Sequence, residues 1–404
     1  MPSPAPCAAP ARDRAPRPEL ADILRAHAAE YRRGRNLAGA QLKAIRAILT
    51  CRTAALGGRK LTCDACGTCS ILYNSCRNRH CPKCQTLSKE RWLQARRAEL
   101  LETQYFHVVF TLPHELNSLA QGNRAVIYKL LFAAAFDTLL CFGRDPRHLG
   151  GLIGGTGILH TWGQNLSQHI HLHCLIPGGA LSPDRSRWIP AKPGFLFPVR
   201  ALSKVFAGKF LEHLQRVYEA GELSFADGTA DLSEPAAFNG LLRQLRRHAW
   251  VVYCKPPFAG PEHVLEYLGR YTHRVAISNH RILAHQHGKV RFRYKDYRQG
   301  GRTRVMELPA QEFIRRFLLH VLPDGLHRIR HFGLLANRTK KDNLTRCRQL
   351  LGQPPPTDQP SPESVEQMML RVADLDIDRC PVCHRGSLQI TATLEPVIEP
   401  WDTS

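Results

Sequence analysis

Three histidines alternate with apolar residues in the segment His169-Ile170-His171-Leu172-His173. In an extended strand, alternate side chains share a face, so the three imidazoles would lie about 7 Å apart on one side of a sheet. The apolar Ile170 and Leu172 would pack into the core on the other side. Because imidazole is a common metal ligand, the segment predicts a strand that carries a metal site. The alternative is a row of solvated or hydrogen-bonded histidines.

Two tyrosines, Tyr267 and Tyr271, are four residues apart in a segment whose pattern predicts a helix around 261–271. Residues at this spacing lie on one helix face, so the two phenols would stand side by side. A tyrosine oxygen that attacks a phosphodiester forms a phosphotyrosine, which stores the bond for later rejoining. An isolated tyrosine has a pKa of about 10, so it is a poor nucleophile at neutral pH. A cation on the histidine strand could assist the attack by polarising the scissile phosphate. The alternative is that the pair packs in the core.

Seven of the 14 cysteines lie between Cys51 and Cys84. The Cys-x2-Cys spacing of zinc knuckles, in which two thiolates converge on one ion, occurs at Cys63 and Cys66, continues to Cys69, and recurs at Cys81 and Cys84. We expect one zinc ion to be bound by both pairs, Cys63, Cys66, Cys81 and Cys84. Four other potential ligands suffice for a second site or for different pairings, between which the spacing does not choose: Cys51, Cys69, Cys76 and His80.

A further knuckle, Cys380-Pro381-Val382-Cys383-His384, follows the proline-rich stretch 353–362. It supplies two thiolates and, with His384, at most three ligands. Another zinc ion here would need partners from Cys347 or from elsewhere in the chain.

The chain carries 56 Lys and Arg residues against 34 Asp and Glu, a formal net charge of +22. Such an excess of positive charge favours a polyanionic partner, most commonly nucleic acid. No continuous apolar segment resembles a secretory signal, and the longest apolar stretch, 130–142, is too short to span a membrane and predicts a core helix. We therefore expect a cytoplasmic protein with reduced thiols, in which the cysteines bind metal.

The glycine-rich segment 150–157 lacks the Lys-Ser/Thr of a phosphate loop, so it predicts a turn and no nucleoside triphosphate site.

Helical and strand patterns are mixed along the chain, and the later strands, near 274–284, 288–297 and 302–308, follow one another as hairpins. This order favours an α+β fold: a zinc-ribbon-like module followed by a domain with a largely antiparallel sheet flanked by helices. The expected segments are a basic arm at 1–18, a helical and zinc-binding domain at 19–103, a catalytic domain at 104–350, and a linker with an acidic tail at 351–404.

A basic and aromatic segment at 291–298 is a candidate DNA-binding surface. Alternation along a strand would place Arg291, Arg293, Lys295 and Tyr297 on one face and Phe292 and Tyr294 on the other. A solvated basic face over buried aromatic rings is therefore the competing interpretation. The basic run 338–348 is a second candidate, and the competing interpretation there is an ordinary solvated helix.

Several of these motifs, in this order, resemble the rolling-circle, two-tyrosine transposases of the insertion-sequence-91 family. The matching segments lie between about residues 36 and 350 and read CRTAALGG at 51–58, SCRNRHCPKCQ at 75–85, HIHLHCLIPGG at 169–179, YLGRYTHRVAISNHRI at 267–282 and RFRYKDYR at 291–298. The resemblance implies an HUH endonuclease that cuts single-stranded DNA at a transposon end and forms a covalent 5′-phosphotyrosine intermediate.

The resemblance also implies roles for individual residues. The His-hydrophobe-His pair of the family falls on His171 and His173, and its two tyrosines fall on Tyr267 and Tyr271. His169 is then an extra histidine, either a third metal ligand or a neighbour of the site, and a Gln or Glu from elsewhere is another possible third ligand. The implied catalytic metal is Mg²⁺ or Mn²⁺, although imidazoles also accept Zn²⁺. The implied partners are single-stranded transposon ends and a DNA target site.

Two other functions are compatible with the same residues. The chain could be a non-enzymatic zinc-ribbon regulator that binds DNA, in which the histidine strand and the tyrosines are structural. It could instead be a hydrolytic metallonuclease that uses metal-bound water and needs no tyrosine.

Overall fold

The structure, a computed structural model of the 404-residue chain, describes residues 17–226, 228–255, 263, 264, 269, 275–296, 299–354 and 363–397. The chain divides into two compact units, each assembled from separate stretches of sequence. Unit 1 comprises Met1–Trp92, His273–Val321 and Pro360–Ser404, and unit 2 comprises Leu93–Thr272 and Leu322–Gln359. The consecutive domains expected from the sequence stay a prediction, because compact units group residues by contact rather than by chain order.

The described α-helices, in chain order, are α1 Leu20–Arg32, α2 Gly39–Thr50, α3 Gln85–Arg97, α4 Asn117–Gly122, α5 Arg124–Arg144, α6 Val199–Glu219, α7 Pro235–Arg247, α8 Ala310–Leu319, α9 Lys340–Leu350 and α10 Val365–Ala373. The described strands are β1 Gly58–Cys63, β2 Cys69–Tyr73, β3 Tyr105–Thr111, β4 Gly154–Trp162, β5 Gln168–Pro177, β6 Gly179–Leu181, β7 Trp188–Pro190, β8 Val252–Lys255, β9 Ile282–Gln286, β10 Lys289–Asp296, β11 Arg302–Pro309, β12 Ile329–Gly333 and β13 Leu388–Leu394. The helix expected around 261–271 lies mostly outside the described residues.

Unit 2 is built on a five-stranded sheet with the order β12-β4-β5-β3-β8. Every neighbouring pair in this sheet is antiparallel. The structure therefore confirms a mixture of helices with antiparallel sheets. The central position belongs to β5, the strand that carries the three alternating histidines.

The two faces of β5 have opposite characters. Ile170, Leu172, Cys174 and Ile176 are all 0% exposed and belong to the main hydrophobic core. Helices α5 and α6 contribute to the same core and pack against each other. Because side chains alternate along a strand, the histidines of β5 are directed to the other face of the sheet, here called the histidine face.

Strand β4 begins at Gly154, whereas the sequence predicted a turn up to residue 157 and a strand only from Ile158. The glycines are needed for close packing within the sheet and against α5. A Cβ atom at Gly155 would lie 2.4 Å from the carbonyl oxygen of Leu175, and one at Gly157 would lie 2.7 Å from the Phe136 ring. Residues 154–157 of the glycine-rich segment are thus part of a strand, and residues 150–153 precede it.

Helix α5 is the one helix in the described part of the chain that is long and apolar enough to span a membrane. Its residues Tyr128, Leu131 and Leu139 are at most 1% exposed. They belong to the core of unit 2. This is the core helix that the apolar stretch predicted.

Unit 1 contains two three-stranded sheets, with the orders β13-β1-β2 and β11-β10-β9. Strand β1 pairs antiparallel with both of its neighbours, one of which, β13, comes from the far end of the sequence. On β10, Val290 and Phe292 are 0% exposed, and the Phe292 ring centroid lies 5.7 Å from that of Phe313 on α8. Helix α1 packs against α2 and α8.

Candidate functional site

Three imidazoles on the histidine face of unit 2 form a cluster, His160, His171 and His173. One nitrogen from each ring lies within 4.8 Å of one nitrogen from each of the others. The register of the sheet explains the grouping, because His160 on β4 is directly opposite His171 on β5. His173 follows two residues along β5 and so lies on the same face. We call this set the histidine cluster.

His171 and His173, both predicted from the sequence, thus lie together, but the third member is His160 rather than His169. His169 is exposed, and its ring centroid lies 4.7 Å from that of His171. The His160 ring contacts both other members, with its centroid 5.4 Å from that of His171 and 4.6 Å from that of His173, whereas His169 is separated from His173 by His171 along the strand. Alternation along β4 gives the face of His160, but nothing in the sequence identifies β5 as its neighbour.

Hydrogen bonds fix the orientation of two of these rings. Nδ1 of His171 lies 2.8 Å from the carbonyl oxygen of His169, so Nδ1 carries the proton and Nε2 is left with its lone pair. Nδ1 of His173 lies 2.8 Å from Nε2 of His107, a buried histidine on β3. With Nδ1 occupied in both rings, Nε2 is the nitrogen that can bind a metal. The donor set therefore fits a metal ion.

His107 is a residue that the sequence analysis missed. Its ring is nearly parallel to that of His173, with an interplanar angle of 8° and centroids 5.0 Å apart. When His173 binds a metal through Nε2, its Nδ1 proton is donated to His107, and this bond sets the plane of the ring. The signal that could have found His107 is alternation along β3, which gives its face but not its partner.

Burial keeps these imidazoles neutral. Loss of hydration lowers the pKa of His171 to about 3 and that of His107 to about 3, and it holds the pKa of His173 well below its ordinary value. A neutral imidazole has the lone pair that a metal requires. The cluster is therefore in its metal-binding form at neutral pH.

The histidine face continues onto β8, where Tyr253 and Lys255 are exposed. Tyr253 is opposite Val109 in the sheet, and its ring lies edge-on to His107 with centroids 6.4 Å apart. The Lys255 ammonium lies 5.7 Å from the Tyr253 ring centroid. A phenol and a cation thus flank the cluster. The predicted nucleophiles Tyr267 and Tyr271 lie outside the described residues.

Four thiols of unit 1 form the first cysteine cluster, Cys51, Cys76, Cys81 and Cys84. The Cys84 sulfur lies 3.4 Å from that of Cys51 and 3.6 Å from that of Cys76. Hydrogen bonding to Cys51 lowers the pKa of Cys84 and raises the pKa of Cys81. The directions are opposite because, in a hydrogen-bonded set of thiols, one sulfur gives up its proton while another keeps it. Four thiols at these separations suit a tetrahedral zinc ion.

The expected pairing of the two N-terminal knuckles is wrong. Cys63 and Cys66 lie with Cys380 and Cys383, in what we call the second cysteine cluster. The physical reason is the pairing of β1 with β13, which brings the C-terminal knuckle to the end of β1, where Cys63 is opposite Leu388. The pair Cys81 and Cys84 is completed instead by Cys51 and Cys76. His80 is in neither cluster.

The two candidate DNA-binding segments, 291–298 and 338–348, differ in how their basic side chains are placed. On β10, Arg291, Arg293 and Lys295 are exposed while Phe292 is buried, so a solvated basic face over a buried ring is the arrangement observed. Tyr297 and Arg298 lie outside the described residues. In α9, Arg348 is buried and donates to the carbonyl oxygens of Ala98 and Leu100, so the basic run 338–348 also anchors its helix.

Two family models match the chain. A model described as "Putative transposase" covers residues 154–343, and one described as "Transposase zinc-binding domain" covers residues 23–112. The histidine cluster lies inside the first match and the first cysteine cluster inside the second, which supports structural zinc in the N-terminal region. Cys380 and Cys383 lie outside both matches.

Curated relatives are transposases as well. The chain is 51% identical over 393 residues to "Putative transposase y4qJ" of Sinorhizobium fredii, an alignment that covers 96% of this chain and 99% of the relative. It is 26% identical over 348 residues to the transposase for insertion sequence element IS801 of Pseudomonas savastanoi pv. phaseolicola, covering 85% of this chain and 82% of the relative. No solved structure matches the chain.

We expect Cys84→Ser to release one zinc ion per chain and to lower the melting temperature, because structural zinc binding contributes directly to folding free energy. Zinc is measured by mass spectrometry of the purified protein, and unfolding by circular dichroism. The matched control is Cys141→Ser, which alters an exposed cysteine outside both clusters. Unchanged zinc content in the Cys84 variant would contradict the assignment.

We expect His107→Ala to weaken Mn²⁺ binding by about 10- to 100-fold, because the partner that orients His173 is lost. His107→Gln should recover part of the affinity, since an amide oxygen can accept the same hydrogen bond. Isothermal titration measures both variants against His114→Ala, which alters a side chain that is 88% exposed. Wild-type affinity in His107→Ala would show that the contact does not support a metal site.

Proposed function

The chain belongs to the transposases of the insertion-sequence-91 family, and on that premise we propose that it moves DNA by cutting and rejoining one strand through a covalent phosphotyrosine. The observation that carries the proposal is the histidine cluster, in which imidazoles from β4 and β5 converge on the face of the sheet opposite the main core. The expected substrates are single-stranded transposon ends and a DNA target site.

The proposed reaction is a pair of transesterifications. The phenolate oxygen of Tyr267 or Tyr271 attacks the scissile phosphorus, the bond from phosphorus to the 3′ oxygen breaks, and the leaving strand takes up a proton as a 3′ hydroxyl. The 5′ phosphate stays on the tyrosine. A later 3′ hydroxyl attacks this phosphotyrosine, which restores a phosphodiester and frees the phenol. One phosphate ester replaces another in each step, so no nucleoside triphosphate is needed.

The histidine cluster would position the phosphate. A divalent cation, Mg²⁺ or Mn²⁺, would polarise the scissile phosphate and stabilise its developing charge when bound there. His171 and His173 present Nε2, His169 and His107 hold their Nδ1 atoms, and burial keeps the rings neutral. The exposed Lys255 adds positive charge on the same face of the sheet, where a DNA phosphate could pair with it.

Affinity for DNA and chemistry would be supplied by different parts of the chain. The net charge of +22 and the exposed basic side chains of β10 provide attraction to phosphates that does not depend on the histidine cluster. These side chains belong to unit 1, whereas the histidine cluster belongs to unit 2. Loss of the cluster should therefore affect cleavage more than binding.

A hydrolytic nuclease is the second candidate function, and the composition of the histidine cluster favours it. Three imidazoles form a ligand set that also suits Zn²⁺, with a water molecule in a fourth position. One experiment distinguishes the three functions, transposase, hydrolase and DNA-binding regulator. The protein is incubated with Mg²⁺ or Mn²⁺ and single-stranded transposon ends, and the products are run on a denaturing gel. The proposal requires cleavage with a DNA–protein adduct. Cleavage without an adduct indicates the hydrolase, and no cleavage indicates the regulator.

We expect His173→Ala to reduce the cleavage rate by at least about 100-fold while leaving DNA affinity within a few-fold of wild type, because the ligand acts on the transition state. Cleavage is followed on a labelled strand and binding by fluorescence anisotropy. The control is again His114→Ala, and a melting curve checks that each variant is folded. An equal loss of binding and cleavage would contradict the division between the two surfaces.

We expect phenylalanine at position 267 or 271 to leave folding unchanged and to remove one attacking oxygen. One single variant should lose the adduct, the other should lose only strand transfer, and the double variant should lose both. Adduct and joined product are quantified separately on the same gel. Tyr253→Phe is the matched control, since this phenol is exposed on the histidine face, and it should retain both activities. Adduct formation by the double variant at the wild-type rate would place the nucleophile elsewhere.

A further inference from the structure

The second cysteine cluster joins thiols from the two ends of the chain, Cys63 and Cys66 with Cys380 and Cys383. We propose that it is a second tetrathiolate zinc site, separate from the first cysteine cluster, and that it holds the C-terminal segment with β13 against β1. The site does not depend on the proposed reaction, since none of its ligands belongs to the histidine cluster.

The sulfur separations fit a zinc ion. Cys63 Sγ lies 3.7 Å from Cys383 Sγ, and Cys66 Sγ lies 3.7 Å from Cys380 Sγ. A tetrahedral ion with Zn–S bonds of about 2.3 Å places its sulfurs roughly 3.8 Å apart. A disulfide would instead need sulfurs at about 2.05 Å. The four sulfurs are therefore spaced as ligands of one ion.

The two knuckles have similar backbone turns, closed by the same bond over four residues, and the second turn is one residue longer before its second bond. In the first, the Gly67 N–H donates to the Cys63 carbonyl oxygen and the Cys63 N–H donates to Thr68. In the second, the His384 N–H donates to the Cys380 carbonyl oxygen and the Cys380 N–H donates to Gly386. The fifth residue of each turn has a positive φ, 67° at Gly67 and 54° at His384. The two turns thus share this left-handed residue, a conformation that glycine adopts freely and histidine more readily than most other residues.

The contact between the knuckles is close and directional. Asp64 and Ser387 are joined through the backbone, where the Asp64 N–H donates to the Ser387 carbonyl oxygen, and the Ser387 N–H donates to Asp64 Oδ1, at 2.9 Å. At Gly386, a Cβ atom would lie 2.6 Å from Cys63 Sγ. The second knuckle thus approaches the first as closely as a residue without a side chain allows.

Apolar burial contributes little to holding β13 in place. Most side chains of β13 are exposed, so pairing with β1 buries little apolar surface. A zinc ion would supply the missing free energy, because ligands that are far apart in sequence meet only in the folded chain. A zinc ion in the second cysteine cluster also explains why a Cys-x2-Cys pair occurs in the acidic C-terminal segment.

Zinc content of the full-length protein tests the proposal. We expect two zinc ions per chain in the wild type and about one in either Cys66→Ser or Cys383→Ser. Combining these two substitutions should remove no further zinc, because both act on one ion. Adding Cys84→Ser should remove the remaining ion, and Cys141→Ser should retain two. A wild type with one zinc ion, or a Cys383→Ser variant that retains two, would overturn the proposal.

Alkylation of the wild-type protein gives a readout that needs no folded variant. Iodoacetamide should modify the exposed Cys141 at once, while Cys66, also exposed, and Cys383 should react at least tenfold more slowly until a chelator removes zinc. Peptide mass spectrometry measures the rate at each position. Reaction of Cys383 or Cys66 in the zinc-loaded protein at the rate of Cys141 would overturn the proposal.

Discussion

The register between β4 and β5 is the constraint on which the histidine cluster depends. His160 is directly opposite His171, and a slip by one residue would turn one of the two imidazoles to the apolar face. The register is enforced from the other side of the sheet, where Ile170 and Leu172 are fully buried. The hydrophobic core thus determines which histidines meet, although it contains none of them.

Burial and chemistry are linked through the same sheet. The packing that excludes water around His171 and His173 also lowers their pKa values, so that the rings are neutral ligands at neutral pH. Hydrogen bonds from Nδ1 to His169 and His107 then leave Nε2 for the metal. A loop could also bring three histidines near one another. In the sheet, the hydrogen-bond partners of Nδ1 are themselves residues of β3 and β5, so the ring orientations are fixed as well.

Unit 1 combines two sources of stability, an apolar core under β10 and α8, where Phe292, Phe313 and Phe317 are buried, and the thiol clusters around β1. Its sheet β13-β1-β2 carries mostly half-buried and exposed side chains, so thiol clusters rather than apolar burial tie its strands and loops together. The positive charge that suits DNA can remain exposed on such a unit, as Arg291 and Arg293 do on β10. These basic side chains stay exposed because β10 buries its other face, with Val290 and Phe292, and Phe292 packs on Phe313 of α8.

The sequence by itself determined what depends on neighbours along the chain. Alternation predicted the strand of His171 and the faces of β10, apolar periodicity predicted α5, and the motifs predicted a transposase with a zinc-binding N-terminal domain, which its relatives confirm. Only the tertiary structure decided the partners across the chain: His160 in place of His169, His107 behind His173, and Cys380 and Cys383 beside Cys63 and Cys66. Strand pairing makes these contacts between residues up to 320 positions apart. Local spacing fixes the face on which a side chain lies, but it carries no information about which strand will lie alongside.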